Sequence, residues 1–312
     1  MALVSAAGAA ARAPSRSRII AAFAAVYVVW GSTYLAIRYA VETMPPFLMA
    51  AARFIVSGVI LYAWARMKGS TRPTPRQWRD AAITGVLMLC FGNGLVGWAE
   101  QRVPSGLAAL LVAVVPLWMV LIDWARPRGI RPRGLVIAGV LIGFAGLAVL
   151  VRPSATEGSG SVDTVAALVL VGASFAWACG SVFNRFGARP DSAALSTGLQ
   201  MLGGSVGLIA VGVARGEISQ LQLARVTGQS WAGWLYLVSF GSLVGFTAYI
   251  FLLRTVSPAK ASTYAYVNPL VAVFLGWAIA AESITTRTLA AAAVILTGVA
   301  MITASQSRAE AG

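Results

Sequence analysis

Ten times along its length this chain runs for about 20 residues with little or no charge, and each such run is long enough to cross about 30 Å of hydrocarbon as a helix. The runs read as 19–40, 47–66, 81–99, 104–124, 134–151, 164–184, 194–214, 231–252, 258–280 and 287–305. Of the 312 residues 58% are hydrophobic and 11% charged, about half the charged share of a soluble domain. A fold built for water cannot hide that much apolar surface, so the expectation is an all-α membrane protein of ten transmembrane helices with the lipid bilayer as its solvent.

The net charge of +14 would suggest nucleic acid as partner in a soluble protein, but here the location of the charge decides otherwise. Seventeen basic residues fall in alternate connections: Arg12, Arg16 and Arg18; Arg66, Lys68, Arg72, Arg76 and Arg79; Arg126, Arg128, Arg131 and Arg133; then Arg185, Arg189, Arg254, Lys260 and Arg308. The intervening connections hold five, Arg102, Arg152, Arg215, Arg225 and Arg287, together with Glu42, Glu100, Glu157, Asp163, Glu217 and Glu282. Such a bias places the basic side in the cytoplasm. Both termini are expected there, in a multi-pass protein of the inner (plasma) membrane with no nucleic-acid partner. Residues 1–18 have the Arg-rich, acid-free composition of an organelle-targeting segment, but fit better a short cytosolic tail that anchors the first helix.

Residue types exclude further chemistry. The chain has no histidine, which removes His proton relays, the usual zinc sites and Ser-His-Asp triads. Cys90 and Cys179 sit apart in apolar runs without a CxxC spacing and read as membrane-buried thiols. No cofactor or metal is expected, and no enzyme. Gly92-x-Gly94 precedes no loop–helix junction, so it does not read as a nucleotide cradle.

An internal repeat fixes the architecture. Val103-Pro104-Ser105 and Val115-Pro116-Leu117 return 153 residues later as Val256-Ser257-Pro258 and Asn268-Pro269-Leu270. Gly31-Ser32 returns 149 residues later as Gly180-Ser181, with Trp30 and Trp177 just before each. Each copy holds five spans, and an odd number makes the second enter the membrane from the opposite side. The organisation expected is a tail 1–18, a first repeat 19–151, an extracytoplasmic linker 152–163, a second repeat 164–305 and a tail 306–312. Inverted repeats of this kind mark carriers.

Trp30-Gly31-Ser32-Thr33-Tyr34, Pro45-Pro46 and Arg53-Phe54, followed by Gly92-Asn93-Gly94, Pro104-Ser105-Gly106 and Ser262-Thr263-Tyr264-Ala265-Tyr266-Val267-Asn268-Pro269, resemble the EamA-type carriers of the drug/metabolite transporter superfamily. The resemblance runs from Tyr27 to about Thr303. It implies a ten-helix bundle around a central cavity between spans 1, 3, 4, 6, 8 and 9, and export of amino acids, other metabolites or drugs.

The candidate site is sought at mid-span. Trp30, Pro116 and Asn268-Pro269 lie about ten residues from a span end, hence near the midplane at 1.5 Å per residue. Prolines there free an upstream carbonyl and bend the helix, either as hinges around a binding region or as packing kinks. Candidate substrate-binding residues are Trp30, Tyr34, Arg53, Asn93, Trp98, Trp177, Tyr249, Tyr264, Tyr266 and Asn268; such aromatic walls suit an amphipathic small molecule and can hold an ammonium by cation–π contact, or simply pack helices. Trp64, Trp78, Trp124 and Trp231 fit interfacial belts. Arg53, about 10 Å below the outer surface, either meets a substrate carboxylate or pairs with Glu42 or Glu100; Arg38 pairs with Glu42 or snorkels. No acid lies at mid-bilayer, with Glu100 and Glu282 at the outer edge and Asp80, Asp123 and Asp191 at the inner, so facilitated diffusion or exchange is favoured over proton coupling unless Glu100 or Asp123 becomes buried.

Gly139-x-x-x-Gly143, Gly203-x-x-x-Gly207 and Gly241-x-x-x-Gly245 read as places where helices pack closely. The expected function is export of small metabolites, amino acids or related compounds first, by alternating access, from a monomer or homodimer. The alternatives are a multidrug or other solute efflux carrier, then a membrane-embedded enzyme or a channel.

Overall fold

Proline and hydroxyl caps fix where the helices begin. Pro46 and Pro75 stand in the first turn of their helices, where a missing N–H costs nothing. Thr74 and Gln77 form a reciprocal capping box, and Asp163 and Ser192 accept from Ala166 N and Leu195 N at 3.0 and 3.3 Å. The computed structural model describes residues 15–127, 131–132, 134–151, 163–256 and 263–311. Most of the expected N-terminal tail and of the 152–163 linker, the motif residues Ser257-Pro258 and Ser262, the acid Glu157, and the basic residues Arg128, Arg133, Arg152 and Lys260 lie outside them.

The described residues form α1 (Arg16–Val41), α2 (Pro46–Met67), α3 (Pro75–Glu100), α4 (Ser105–Ala125), α5 (Leu135–Val151), α6 (Thr164–Phe186), α7 (Ala193–Ala214), α8 (228–255), α9 (Tyr264–Ala280) and α10 (Thr286–Ala311). A short helix, Glu217–Gln220, and a 3₁₀ turn, Leu223–Arg225, join α7 to α8. Eight of the ten are long and apolar enough to cross a bilayer; α5 and α9, at 17 residues each, are shorter, about 25 Å at helical rise.

Burial has the inverted sense that a lipid solvent produces. Leu141, Val165, Leu270 and Phe274 are exposed, while Arg53, Ser57, Glu100, Ser105, Ser174 and Ser242 are buried. The most extensive helix contacts also recur when the two halves are exchanged. α1 lies on α8 and α9 as α6 lies on α3 and α4, α3 lies on α7 as α8 lies on α2, and α2–α7, α4–α9 and α5–α10 pair with one another.

Glycines set the closest approaches. A Cβ on Gly139 would stand 2.7 Å from the Gly298 carbonyl, and one on Gly298 2.7 Å from Gly143 N, so α5 and α10 touch backbone to backbone. Gly203 meets Ala82 of α3 in the same way, and Gly204 meets Gly85. Gly241 and Gly245 behave differently from the close helix packing expected of them: they make room for side chains, as described below.

Two interruptions matter for the site. α4 breaks between Ser105–Val112 and Val115–Ala125, with Pro116 opening the second piece. α9 instead runs unbroken through Pro269. α3 and α8 each contain a π-helical segment, Val86–Gly94 and Leu237–Val244, that starts 151 residues apart, close to the repeat spacing. Such insertions shift the register of every side chain that follows and are frequent at functional sites.

Candidate functional site at mid-helix

Trp30 stands near the middle of α1 and organises an aromatic cluster from three helices. Its ring lies 5.3 Å from Phe246 and 5.0 Å from Tyr249, both on α8, and 5.1 Å from Tyr264 on α9. Tyr249 and Tyr264 meet edge to face at 5.5 Å, the geometry aromatic quadrupoles favour. The indole Nε1 donates to the Gly241 carbonyl at 3.2 Å, inside the π segment of α8. Gly245 must be glycine for the ring to lie there, since a Cβ would stand 2.8 Å from Trp30 Cδ1.

Asn268 lies beneath this cluster, buried, its amide nitrogen 3.3 Å from the carbonyls of both Tyr264 and Tyr27 in the orientation that lets it donate to each. Tyr27 and Thr263 share a hydroxyl hydrogen bond of 2.5 Å. Gly31 brings α1 onto α9, where a Cβ would come within 2.6 Å of Val271 Cβ. Pro269 has no N–H to donate to the Ala265 carbonyl, so one rung of the α9 ladder is missing beside Tyr264.

Arg53 approaches the same π segment from α2. It is 4% exposed, donates from Nε to Ser242 Oγ at 3.0 Å, and lies 4.8 Å from the Phe54 ring centroid. Its Nη1 is buried without a hydrogen-bond partner. Gly241 admits it: a Cβ there would stand 3.1 Å from Nη2 and 3.0 Å from Thr33 Cγ2. One residue, Gly241, thus holds Trp30 through its carbonyl and makes room for Arg53 at its bare Cα.

Among the described residues Arg53 has no carboxylate partner. Neither ion pair considered for it is present: Glu42 is exposed, and Glu100 makes no contact with it. Arg38 also differs from expectation. It turns from Glu42 to Glu282, 3.6 Å away, and gives Nη1 to the carbonyls of Val103 and Glu100 at 3.1 and 3.4 Å.

The other half repeats the scaffold with different chemistry. Trp177 of α6 lies against Gly92 in the π segment of α3, beside Asn93, at 2.9 Å from where a Cβ would be. Trp98 forms no aromatic ring pair among the described residues; its ring lies 4.2 Å from the Arg102 guanidinium and 5.7 Å from that of Arg215. Tyr34, Trp98 and Tyr266 pack on one apolar core, and Trp98, Trp177 and Phe246 on a second around Phe47 and Phe54. Phe246, Gly241 and Ser242 are additions to the residues expected from sequence. Gly241 was within reach, since it follows Gly92 by 149 residues, the spacing of the repeat itself.

The sequence profile of the EamA-like transporter family matches residues 17–152 and again 164–304. The chain belongs to the EamA-like transporter family. The two matches begin with α1 and α6, so this EamA-like transporter carries the family domain twice. It is 39% identical over 290 residues to the uncharacterized inner membrane transporter YedA of Escherichia coli (strain K12), covering 91% of this chain and 90% of that one. It is 24% identical over 289 residues to the uncharacterized transporter YvbV of Bacillus subtilis (strain 168), covering 92% of each. A crystal structure with a TM-score of 0.62 and 20% identity covers 95% of this chain and 100% of that one, a likeness of fold.

Proposed function

We propose that the chain exports small zwitterionic metabolites, amino acids or close relatives, by alternating access around a midplane site between α1, α3, α4, α6, α8 and α9. The halves 19–151 and 164–305 are inverted copies joined by an outer linker, with both termini in the cytoplasm. All ten helices cross, the short α5 and α9 by local thinning or by their flanking residues. The name of the Escherichia coli relative favours the inner membrane as location.

The observation that carries the substrate class is Arg53, a buried guanidinium with a free Nη1 and, among the described residues, no carboxylate partner, which meets Gly241 on the π segment whose carbonyl holds Trp30 of the aromatic cluster. An unpaired cation at that depth is costly and is retained where it binds something. A zwitterion answers both features, with its carboxylate on Arg53 and its ammonium over an aromatic face. Tyr34, Tyr266 and Asn268 complete that end of the site, while Asn93, Trp98 and Trp177 contribute from the opposite half. Pro116, at a helix break, and Pro269, within a continuous helix, are the hinges.

The aromatic cluster favours a second reading, efflux of hydrophobic cations, but an uncompensated Arg53 repels a lone cation. Counterflow in proteoliposomes with radiolabelled amino acids and cationic dyes separates the two. Amino-acid counterflow should fall in Trp30→Ala, Arg53→Gln, Tyr264→Ala and Asn268→Ala. Flux that survives all four substitutions sinks the site, dye flux without amino-acid flux sinks the substrate class, and ohmic current in place of saturable flux sinks the carrier.

A further inference from the structure

The outer ends of the helices hold a second set of charges that the substrate site does not use. Glu282 follows Ala281, whose φ of 52° is the one left-handed backbone among the described non-glycine residues. That turn sends the Glu282 carboxylate across to the start of α4, where Oε1 accepts from Ser105 N and Oγ at 2.7 and 2.9 Å and Oε2 from Gly106 N at 3.0 Å. It caps a helix of the other half, with the Arg38 guanidinium 3.6 Å away. Glu217 caps the start of α2 in the same manner, accepting from Leu48 N at 2.9 Å. Both carboxylates close the side that the loop charges assign to the outside.

Glu100 stands beside this closure and has none of its advantages. It is 1% exposed, and both carboxylate oxygens are buried without a hydrogen-bond partner. The groups facing it are Tyr34 and Arg38 from α1 and Glu282 from the α9–α10 turn. Around it, the cations of the neighbouring elements are turned elsewhere: Arg53 of α2 donates to Ser242 and makes no ion pair among the described residues, Arg102 pairs with Asp163 at 3.7 Å, and Arg215 lies beside Trp98. Two carboxyls thus share one guanidinium, and that guanidinium turns its ion-pairing edge to Glu282. With Glu100 ionised the cluster would hold a buried negative charge with no donor; with Glu100 carrying a proton, Arg38 and Glu282 are left as a neutral pair.

We infer that Glu100 is a proton-carrying site and that the chain exchanges protons for its cargo. In the outside-closed state the carboxyl holds its proton out of contact with water. When the Glu282 cap leaves α4, Glu100 and Arg38 both meet outside water, and the carboxyl takes up a proton there as the cargo leaves. Only once the cavity opens inward and cytoplasmic water reaches Glu100 along Tyr34 does the proton leave, so that the carboxylate it leaves behind is hydrated. One proton enters as cargo departs, and nothing is oxidised or reduced. This inference rests on the export reading for its cargo but not for its proton.

Infrared spectroscopy of the protein in lipid vesicles at neutral pH tests the proton directly. A band in the carboxylic-acid stretching region is expected in the unaltered protein and in Asp123→Asn, which alters the Asp123–Arg126 pair at the other face, and its loss in Glu100→Gln. Absence of the band, or its persistence in Glu100→Gln, overturns the inference. The coupling is tested by uptake of radiolabelled amino acids into vesicles under an imposed pH gradient. Glu100→Gln should lose at least tenfold of the gradient-driven flux and keep equilibrium exchange; unaltered gradient-driven flux overturns the coupling. A band that behaves as expected while no amino acid moves in any protein refutes the substrate class and leaves the proton site standing.

Discussion

Replacing Arg53 by methionine separates a binding role from a structural one, because the structure gives the two roles opposite signs. The guanidinium makes one side-chain hydrogen bond, from Nε to Ser242 Oγ at 3.0 Å, and leaves Nη1 unpartnered in a site 4% exposed. A buried charge with so little compensation contributes nothing to stability, and an apolar side chain of similar volume there is neutral or stabilising by about 1–4 kcal/mol. If the free Nη1 receives a substrate carboxylate, its loss removes a charge-assisted hydrogen bond of about 1.5–3 kcal/mol. The half-saturation concentration for an amino acid should then rise about 10–150-fold. Arg53→Lys keeps the charge without the planar fork and should fall between. Ser242→Ala, which removes the neighbour and leaves the cation, should change affinity less than Arg53→Met does. Counterflow gives the affinities, and thermal unfolding in detergent, followed by tryptophan fluorescence, gives the stabilities. A variant Arg53→Met that unfolds at lower temperature yet binds substrate with unaltered affinity would show that Arg53 is a strut between α2 and α8, and the zwitterion argument would be wrong.

Gly298→Val forces a side chain against the Gly139 carbonyl and Gly143 N, so α5 and α10 must part; overpacking of this kind costs about 1–3 kcal/mol and should appear as a lowered thermal midpoint. Gly245→Ala drives Trp30 off its hydrogen bond to Gly241, and should depress amino-acid affinity more than stability, which counterflow and unfolding measured on the same sample will separate. Glu282→Gln weakens the cap on α4 and breaks the pair with Arg38, so a cysteine introduced at Val103 should react faster with a membrane-impermeant maleimide from outside; an unaltered rate would mean that the cap does not hold the closure.

The spanning helices were legible because lipid requires the same property of every spanning segment, and because proline and Thr, Asp or Ser caps mark where several of them start; eight of the ten expected are long and apolar enough to cross. Helix starts came within three residues in eight of the ten, while Pro75 opens α3 six residues before the expected span, since a polar first turn carries no hydropathy signal, and the start expected for α9 at 258 lies outside the described residues. Trp30, Tyr249 and Tyr264 could be grouped from sequence by depth alone, and the structure brings them into contact. The π segments were illegible: an inserted residue is stabilised by what lies against it, here Trp30 on Gly241 and Trp177 on Gly92, and no residue type announces it. Gly241-x-x-x-Gly245 was misread for a related reason, since the motif says that something comes close without saying whether it is a backbone or a ring. Glu100 was placed correctly along its helix and incorrectly in its surroundings. Its burial depends on Arg38 and Glu282, which are remote in sequence.

The duplicated scaffold and the single Arg53 together imply a polarity for the proposed site. Trp30 and Trp177 each meet a glycine of a π segment, Gly241 and Gly92, which are 149 residues apart, so the two halves build the same frame. The chemistry placed on the frame is not the same. α7 carries no charged residue where α2 carries Arg53, and Ser32 of α1 meets Tyr236 of α8 in addition to its own Val29 carbonyl, where Ser181 of α6 bonds its own Trp177 carbonyl. A symmetric pair of sites would let a zwitterion bind in two opposed orientations. With a guanidinium on α2 and no cation on α7, the carboxylate of the proposed substrate has one place to go, and its variable side chain must point toward Asn93 and Trp177. Discrimination among amino acids should therefore follow substitutions at Asn93 and Trp177, whereas loss of the carboxylate, as in an amine derivative, should mimic Arg53→Met whatever the side chain. A series of amino acids and their decarboxylated counterparts, run on both sets of variants, tests that division; equal sensitivity of both halves to both changes would refute it.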